Sequence, residues 1–196
     1  MIKEIKDRRS IRKYDGREVP REMLEKIIAA GMCAPSAKNR QPWKYVVVTG
    51  SAKQDALSVM ERGLEREKHK PFLPTSAGNL ADAENTLKVM RQSAAVIFVV
   101  NTLGAELSRT LSVDERVYEI CNAQSIGAAV QNMSLAAVEL KLGSLWVCNT
   151  FFAQPELNEW LNTDGELFAA LAVGYASESP APRPRKPISE TVEWML

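Results

Sequence analysis

The distribution of apolar positions along the chain predicts alternating helices and strands. From 21 to 32 apolar side chains recur with the spacing of one helix face, and Pro20 and Gly31 lie near its two ends, as such residues commonly do. Runs of β-branched, aromatic and other apolar residues predict strands. The patterns place helices at 21–32, 52–68, 80–92, 113–141 and 154–161, and strands at 43–49, 94–101, 144–147 and 167–175.

The pattern at 113–141 is the longest and is apolar over much of the helix circumference. Small residues are interspersed among the larger ones: Ala123, Gly127, Ala128, Ala129 and Ala136. A helix of this kind is expected to be buried on several sides, and small residues permit close helix contact. We therefore expect this helix to form a subunit interface.

Two segments lack a regular pattern. Residues 70–79 carry Pro71, Pro74 and Gly78 and should be irregular, as either a lid over a site or a surface connection. From Ser179 onward the chain is rich in proline, which predicts an extended C-terminal segment at 180–196.

Composition and length indicate one globular unit. The chain has 196 residues, 45% of them hydrophobic and 25% charged, and shows neither an internal repeat nor a linker between two cores. Mixed strands and long helices favour an α+β or α/β domain over 1–196. A formal net charge of +1 argues against nucleic acid or a membrane surface as a partner.

The cysteines and the single histidine give no metal or disulfide pattern. Cys33, Cys121 and Cys148 are odd in number and widely spaced, and His69 has no second histidine to join it. The chain starts with charged residues rather than an apolar signal, and its longest apolar runs are too short to span a bilayer. We expect a cytoplasmic protein without a metal site.

Two clusters of residues carry the chemistry. The segment 8–12 (Arg-Arg-Ser-Ile-Arg) supplies three guanidinium groups and a hydroxyl, which suit a phosphate because guanidinium makes bidentate, charge-assisted bonds to its oxygens. The segment 34–43 (Ala-Pro-Ser-Ala-Lys-Asn-Arg-Gln-Pro-Trp) supplies amides that both donate and accept, which suit a flat heteroaromatic ring with polar edges. Together they suggest a phosphorylated aromatic cofactor. Taken singly, the first cluster is compatible with a solvated helix end and the second with a surface loop.

The order and composition of these clusters resemble the opening of the FMN-dependent nitroreductase family, short-chain type. Three further stretches extend the resemblance to nearly the whole chain: 124–133, 142–149 and 181–187. The resemblance implies an α+β, nitroreductase-like fold. In that fold a central, mostly antiparallel sheet is flanked by helices, and the long central helix lies at a homodimer interface.

The resemblance also implies a set of FMN-binding residues. Arg8, Arg9 and Ser10 would hold the phosphate and ribityl end together with Arg183 and Arg185, and Arg12 would reach the pyrimidine edge of the ring. The cofactor of the other subunit would be met by Pro35, Ser36, Ala37, Asn39 and Gln41. The ring would be passed by Trp146, Val147, Cys148 and Asn149, the last two through backbone amides near N5. Members of the family often carry a small or acidic residue where this chain has Cys148.

The implied activity is transfer of hydride from NADH or NADPH to FMN, and then to an electron-poor acceptor such as a nitroaromatic or a quinone, by a ping-pong mechanism. No catalytic side chain is expected, because the flavin carries the chemistry. Alternatives within the superfamily are a reductive dehalogenase-like or flavin-cleaving enzyme. A further alternative is a non-catalytic flavin-binding protein. The residue pattern does not choose the acceptor or the donor.

Overall fold

The computed structural model describes residues 1–195 and shows an antiparallel sheet with helices on both faces. The strands, in the sheet order β1-β2-β4-β3, are β1 (Trp43–Thr49), β2 (Ala95–Asn101), β4 (Glu166–Gly174) and β3 (Gly143–Val147). The α-helices are α1 (Lys3–Asp7), α2 (Arg21–Met32), α3 (Gly50–His69), α4 (Leu80–Gln92), α5 (Val113–Glu139), α6 (Gln154–Leu161) and α7 (Ile188–Thr191). This arrangement confirms the predicted α+β class.

Strand β2 lies inside the sheet and separates two hydrophobic cores. Val96, Phe98 and Val100 pack on one face, in a core shared with α3, α4 and α6. The residues between them, including Ile97 and Val99, pack on the other face against α2 and α5. Both faces are covered, which explains why β2 is a continuous apolar run rather than an alternating one. Burying each such side chain contributes about 1.5–3 kcal/mol.

Helix α5 begins with a capping box and becomes more deeply buried along its length. The Ser112 hydroxyl accepts from the backbone N–H of Glu115, whose carboxylate accepts from the backbone N–H of Ser112. Farther on, Ile126 and Met133 are fully buried in the core. Near its start, by contrast, Val117 is 51% exposed within the single chain. The apolar pattern at 113–141 therefore includes a surface that its own chain leaves uncovered.

The predicted elements are confirmed to within two residues at each boundary. The irregular segment 70–79 ends in a 3₁₀ helix, Pro74–Asn79, and short elements at Lys3–Asp7 and Asn149–Ala153 carried too weak a pattern to be predicted. The prediction of a wholly extended segment at 180–196 is wrong in one place. The prolines end at Pro187, which caps the single helical turn α7. Leu196 lies outside the described residues.

Across residues 1–195, no helix combines the length and apolar character needed to cross a membrane.

Candidate functional site

A cavity of about 490 Å³ brings together the two ends of the chain. Six residues singled out in the sequence line it: Arg8, Arg9, Ser10, Arg12, Arg183 and Arg185. Helix α1 adds Lys6, and helix α5 adds Gln131. Residues separated by more than 170 positions in the sequence therefore form one wall of guanidinium and hydroxyl groups.

The N-terminal part of the cavity is held against the edge strand β3. Ser10 forms a parallel bridge with Ser144, and the backbone N–H of Ile11 donates to the Ser144 carbonyl at 3.0 Å. The Ile11 side chain is buried against Gly143, where a Cβ atom would lie 2.8 Å from Ile11 Cγ1. Tyr14 ends this segment and donates its hydroxyl to the carbonyls of Ile11 and Ala172. Burial raises the pKa of the Tyr14 hydroxyl, which therefore stays a donor.

The C-terminal part of the cavity is held by pairing with the same segment. Tyr14 forms an antiparallel bridge with Ala176, and the backbone N–H of Ser177 donates to the Lys13 carbonyl. The Glu178 carboxylate then accepts the backbone N–H of Arg12. These bonds hold the segment 176–178 against the segment 12–14 near the N-terminus. The prolines that follow Ser179 therefore lie along the cavity.

The electrostatics of the cavity are strongly positive. Its lining includes five arginines and Lys6, and no aspartate or glutamate. Arg9 donates Nη1 to the carbonyls of Lys6 and Arg8, but its buried Nε has no acceptor. A buried donor without a partner costs about 1–3 kcal/mol. An anion that accepts from this wall would remove part of that cost.

A second group of predicted residues lies at the end of β3. The Trp146 side chain is 39% exposed and adjoins Gly127 of α5, where a Cβ would lie 3.6 Å from the indole. Val147 points into the opposite core and is 2% exposed, so only its backbone can face a ligand. The Cys148 residue keeps exposed surface, but partial burial raises the pKa of its thiol. Asn149 donates its side-chain amide to the Thr86 hydroxyl at 3.0 Å.

The loop that contains the predicted residues Pro35, Ser36, Ala37, Asn39 and Gln41 is strained. Lys38, Asn39 and Gln41 have φ values of 54°, 53° and 50°, in the left-handed region that costs a residue other than glycine about 1–2 kcal/mol. The Ser36 hydroxyl accepts from the backbone N–H of Gln41 at 3.0 Å, and Arg40 stacks over the Tyr118 ring. A loop kept in this conformation by specific bonds is a candidate for ligand contact.

Helix α5 relates the three groups to one another. Gln131 at the cavity and Gly127 at Trp146 are four residues apart and share one face of the helix. Ser125, whose hydroxyl accepts from the Ala37 backbone N–H, is displaced by about 120° from Gln131 around the helix axis, from the 3.6 residues per turn. Within one chain, therefore, the cavity and β3 lie along the same face of α5, and the strained loop lies on another.

Two features of the site were not predicted from the sequence. The first is Gln131, which lies in the 124–133 stretch. Its polar side chain in a largely apolar helix could have indicated a role in the site. The second is Thr86, whose hydroxyl accepts a hydrogen bond from the Asn149 side chain and which lies in no recognisable sequence motif. The described residues contain no group of three or more His, Cys, Asp or Glu side chains placed to hold a metal ion.

The amino-acid sequence is similar to those of several proteins from other organisms. A protein of Methanothermobacter thermautotrophicus is 54% identical over 48 residues (24% of this chain, 25% of that protein). One from Archaeoglobus fulgidus is 31% identical over 146 residues (74% and 66%). Both matches span less than two thirds of the relative's length. The chloronitrobenzene nitroreductase of Comamonas testosteroni is 28% identical over 200 residues, which cover 90% of this chain and 87% of that protein.

Solved structures share the fold over nearly the whole chain. A BluB-like flavoprotein of Clostridium difficile has a TM-score of 0.79 at 24% identity, covering 98% of this chain and 97% of that chain. A Desulfovibrio desulfuricans protein in complex with FMN has a TM-score of 0.73 at 24% identity (100% and 96% covered). The FMN-dependent nitroreductase NfnB of Mycobacterium smegmatis, in complex with NADPH, has a TM-score of 0.76 at 18% identity (98% and 96%).

The sequence model of the Nitroreductase family matches residues 5–175. That range contains the segment 8–12, the strained loop and the end of β3. This chain belongs to the nitroreductase family.

Proposed function

We propose that this protein is an FMN-dependent NAD(P)H oxidoreductase whose cavity between the chain ends holds the FMN phosphate. The observation that carries the proposal is the convergence of Arg8, Ser10 and Arg185 on one cavity, from opposite ends of the sequence. Family membership supports the cofactor and the redox activity. The FMN and NADPH complexes of proteins with the same fold support the choice of ligands.

The donor set of the cavity fits a phosphate monoester. Guanidinium groups make paired, charge-assisted bonds to phosphate oxygens, and the Ser10 hydroxyl adds a further donor. The orphaned Nε of Arg9 is a buried donor that lacks an acceptor. Because no lining residue is acidic, the cavity wall carries no negative charge that would repel a phosphate. Arg8, Arg9, Ser10, Arg183 and Arg185 would hold the phosphate and ribityl end.

The ring of the cofactor would extend from the cavity along α5 toward β3. Gln131 and Gly127 mark this path because they share a helix face and adjoin the cavity and Trp146. Arg12 would face the pyrimidine edge of the ring, where a fixed positive charge stabilises the negative charge of reduced flavin. At the end of the path, the backbone amides of Cys148 and Asn149 would face N5.

When bound, FMN supplies the redox chemistry, as it accepts hydride from NADH or NADPH and passes electrons to the acceptor. The chain's own residues bind and orient the reactants and set the charge around the ring. A reaction of this kind requires no acid–base pair or nucleophile on the protein. The acceptor would be an electron-poor aromatic such as a nitroaromatic or a quinone, a class supported by similarity to the chloronitrobenzene nitroreductase of Comamonas testosteroni.

The site would be completed by a second copy of the chain. The loop 35–41 lies on a different face of α5 from the cavity and does not line the cavity of its own subunit. Half-exposed apolar side chains near the start of α5, Val117 and Ile120, offer a surface for a partner subunit. In a homodimer Pro35, Ser36, Ala37, Asn39 and Gln41 would reach the other subunit's cofactor. Sedimentation velocity should show a dimer, and a fully active monomer would contradict this arrangement.

Steady-state kinetics test the proposed reaction. Initial rates are measured with NADH or NADPH against a chloronitrobenzene and against a benzoquinone, at several fixed concentrations of each partner. The proposal predicts turnover that depends on FMN and parallel lines in double-reciprocal plots. Intersecting lines would contradict the ping-pong order, and the absence of turnover with both donors would contradict the oxidoreductase assignment.

A further inference from the structure

The turn that follows β3 is held from behind by two helices. This turn, the 3₁₀ helix Asn149–Ala153, packs Ala153 so closely on Gly63 of α3 that a Cβ at Gly63 would lie 2.3 Å from the Ala153 Cβ. Arg66, one helical turn farther along α3, donates Nη2 to the Phe152 carbonyl at 3.0 Å. From α4, the Thr86 hydroxyl accepts the side-chain amide of Asn149 at 3.0 Å.

Arg66 is itself fixed on several sides. Its Nε and Nη2 donate to the two carboxylate oxygens of Glu156 at 2.8 and 3.0 Å, and its Nη1 donates to Glu67. The Arg66 and Glu156 side chains are each 24% exposed, and Glu67 is buried. Burial alone would raise the pKa of the Glu156 carboxyl, but the hydrogen bonds and charge of Arg66, together with a backbone hydrogen bond and the charge of Arg62, lower that pKa. A bidentate, charge-paired guanidinium of this kind has little rotamer freedom left.

The turn is a single 3₁₀ helix. The backbone N–H of Phe151 donates to the Cys148 carbonyl at 3.1 Å, and 3₁₀ hydrogen bonds have poorer geometry than those of an α-helix. The Thr150 hydroxyl is fully buried and has no hydrogen-bond partner. The side-chain contacts from α3 and α4 therefore add to what holds the turn in place.

We propose that Arg66 and Thr86 are positioning residues, which fix the turn and with it the backbone amides of Cys148 and Asn149 that face the flavin. Arg66 acts at the far end of the turn through the Phe152 carbonyl, and Thr86 acts at the near end through Asn149. Neither residue lines the basic cavity. The inference rests on the proposed function, because it assumes that the ring lies against the end of β3.

Two variants test the inference against a matched control. Thr86→Val removes the hydroxyl acceptor with almost no change in side-chain volume, and Arg66→Gln removes the charged donor. Arg91→Gln is the control, because the Arg91 side chain also joins α4 to α3, but it does so by pairing with Glu61 at 2.7 Å rather than by bonding to the turn. A merely structural role for Arg66 and Thr86 predicts that all three variants behave alike.

The first readout needs no cofactor. Hydrogen exchange of the backbone amides of Asn149–Ala153 is measured in the FMN-free protein under native conditions. We expect Thr86→Val and Arg66→Gln to raise these exchange rates about tenfold. The β2 amides of both variants, and the turn amides of the Arg91→Gln variant, should exchange at wild-type rates. If Arg66→Gln fails to fold, Thr86→Val carries this test alone.

The second readout uses the FMN-loaded protein. We expect the FMN dissociation constant to stay within twofold of wild type, because the phosphate contacts are unchanged. We also expect altered visible circular dichroism of the bound flavin and a several-fold slower reduction by NADH or NADPH. Variants with wild-type exchange and wild-type circular dichroism would overturn the positioning role while leaving the proposed function intact. A wild-type protein that takes up no FMN would overturn both.

Discussion

Ser10 and Ser144 form a parallel bridge that sets the arginine segment 8–12 beside the edge strand β3. The bond from the Ile11 N–H to the Ser144 carbonyl, 3.0 Å long, fixes the register of this contact. Strand β3 continues from Ser144 and ends at Val147, directly before Cys148. The residues proposed for the phosphate and those proposed for the ring are thus joined through one short strand.

Removing a cavity arginine should weaken FMN binding. Arg8→Ala and Arg185→Ala are each expected to lower the affinity by about 1.5–3 kcal/mol, the range for a hydrogen bond to a charged group. The measurement is a fluorescence titration of the FMN-free variants with FMN. The control is Arg21→Ala, because the Arg21 side chain is 90% exposed and pairs with Glu25 on its own helix. Wild-type affinity in both cavity variants would refute the phosphate assignment.

The Cys148 thiol should react slowly at neutral pH. Partial burial raises its pKa above the ordinary value of 9.0, and the thiolate is the reactive form. We expect the rate of alkylation by iodoacetamide at Cys148 to rise with pH throughout the range 7 to 9 without reaching a plateau. Peptide mass spectrometry resolves this site from Cys33 and Cys121. A plateau at Cys148 below pH 8 would show instead an activated thiol.

The segment 70–79 should be released when Glu67 is replaced by glutamine. The buried Glu67 carboxylate accepts the backbone N–H groups of Phe72 and Leu73 at 2.8 and 2.7 Å. Glu67→Gln is expected to lose about 1.5–3 kcal/mol of local stability, since charged hydrogen bonds lie in that range. Limited digestion with chymotrypsin should then cut faster after Phe72.

A nearby glutamate supplies the control for that experiment. Glu65 lies on the same helix, is 60% exposed and pairs with Lys68, so Glu65→Gln should leave the cleavage rate unchanged. Equal cleavage of Glu67→Gln and wild type would mean that Glu67 does not anchor the segment.

The ion pair between Glu156 and Arg66 should stabilise the fold only at pH values where Glu156 is ionised. In the folded protein the pKa of the Glu156 carboxyl lies below its ordinary value of 4.5. The folded state therefore binds this proton at a lower pH than the unfolded state does. The stabilising contribution is therefore complete above about pH 4.5 and is lost as the pH falls through the folded pKa. Denaturation at pH 7 to 3 should show the stability difference between wild type and Glu156→Gln shrinking.

The Arg66→Gln background gives that prediction a sharper form. Without Arg66, burial still raises the pKa of Glu156, while a backbone hydrogen bond and the charge of Arg62 still lower it. The stability difference between Arg66→Gln and the double variant that also carries Glu156→Gln should then lose much of the pH dependence seen when Arg66 is present. A pH-independent difference in both backgrounds would contradict the ion-pair account.

Much of the fold followed from the sequence because its elements are long and strongly periodic. Strand β2 and helix α5 combine high apolar content with clear punctuation, and their boundaries were predicted to within two residues. The basic cavity was predictable from residue chemistry, since arginine clusters occur at both ends of the chain. The family resemblance supplied the roles of individual residues, most of which remain predictions.

Other features depend on contacts that no local pattern encodes. Arg66 and Glu156 are 90 positions apart, and neither stands in a recognisable motif. The left-handed backbone of Lys38 and Gln41 occurs without glycine, so the sequence gives no sign of it. The helical turn after Pro187 was missed because four residues are too few to show a helical period.

The most direct test of the account is the absorbance spectrum of the purified protein supplied with FMN, followed anaerobically as NADH and then NADPH is added. An FMN-dependent NAD(P)H oxidoreductase should show flavin bands that copurify or appear on titration with FMN, and that bleach with at least one of the two donors. A protein that takes up no FMN would contradict the cofactor assignment. Bound flavin that neither donor bleaches would contradict the oxidoreductase activity and indicate a flavin-binding protein.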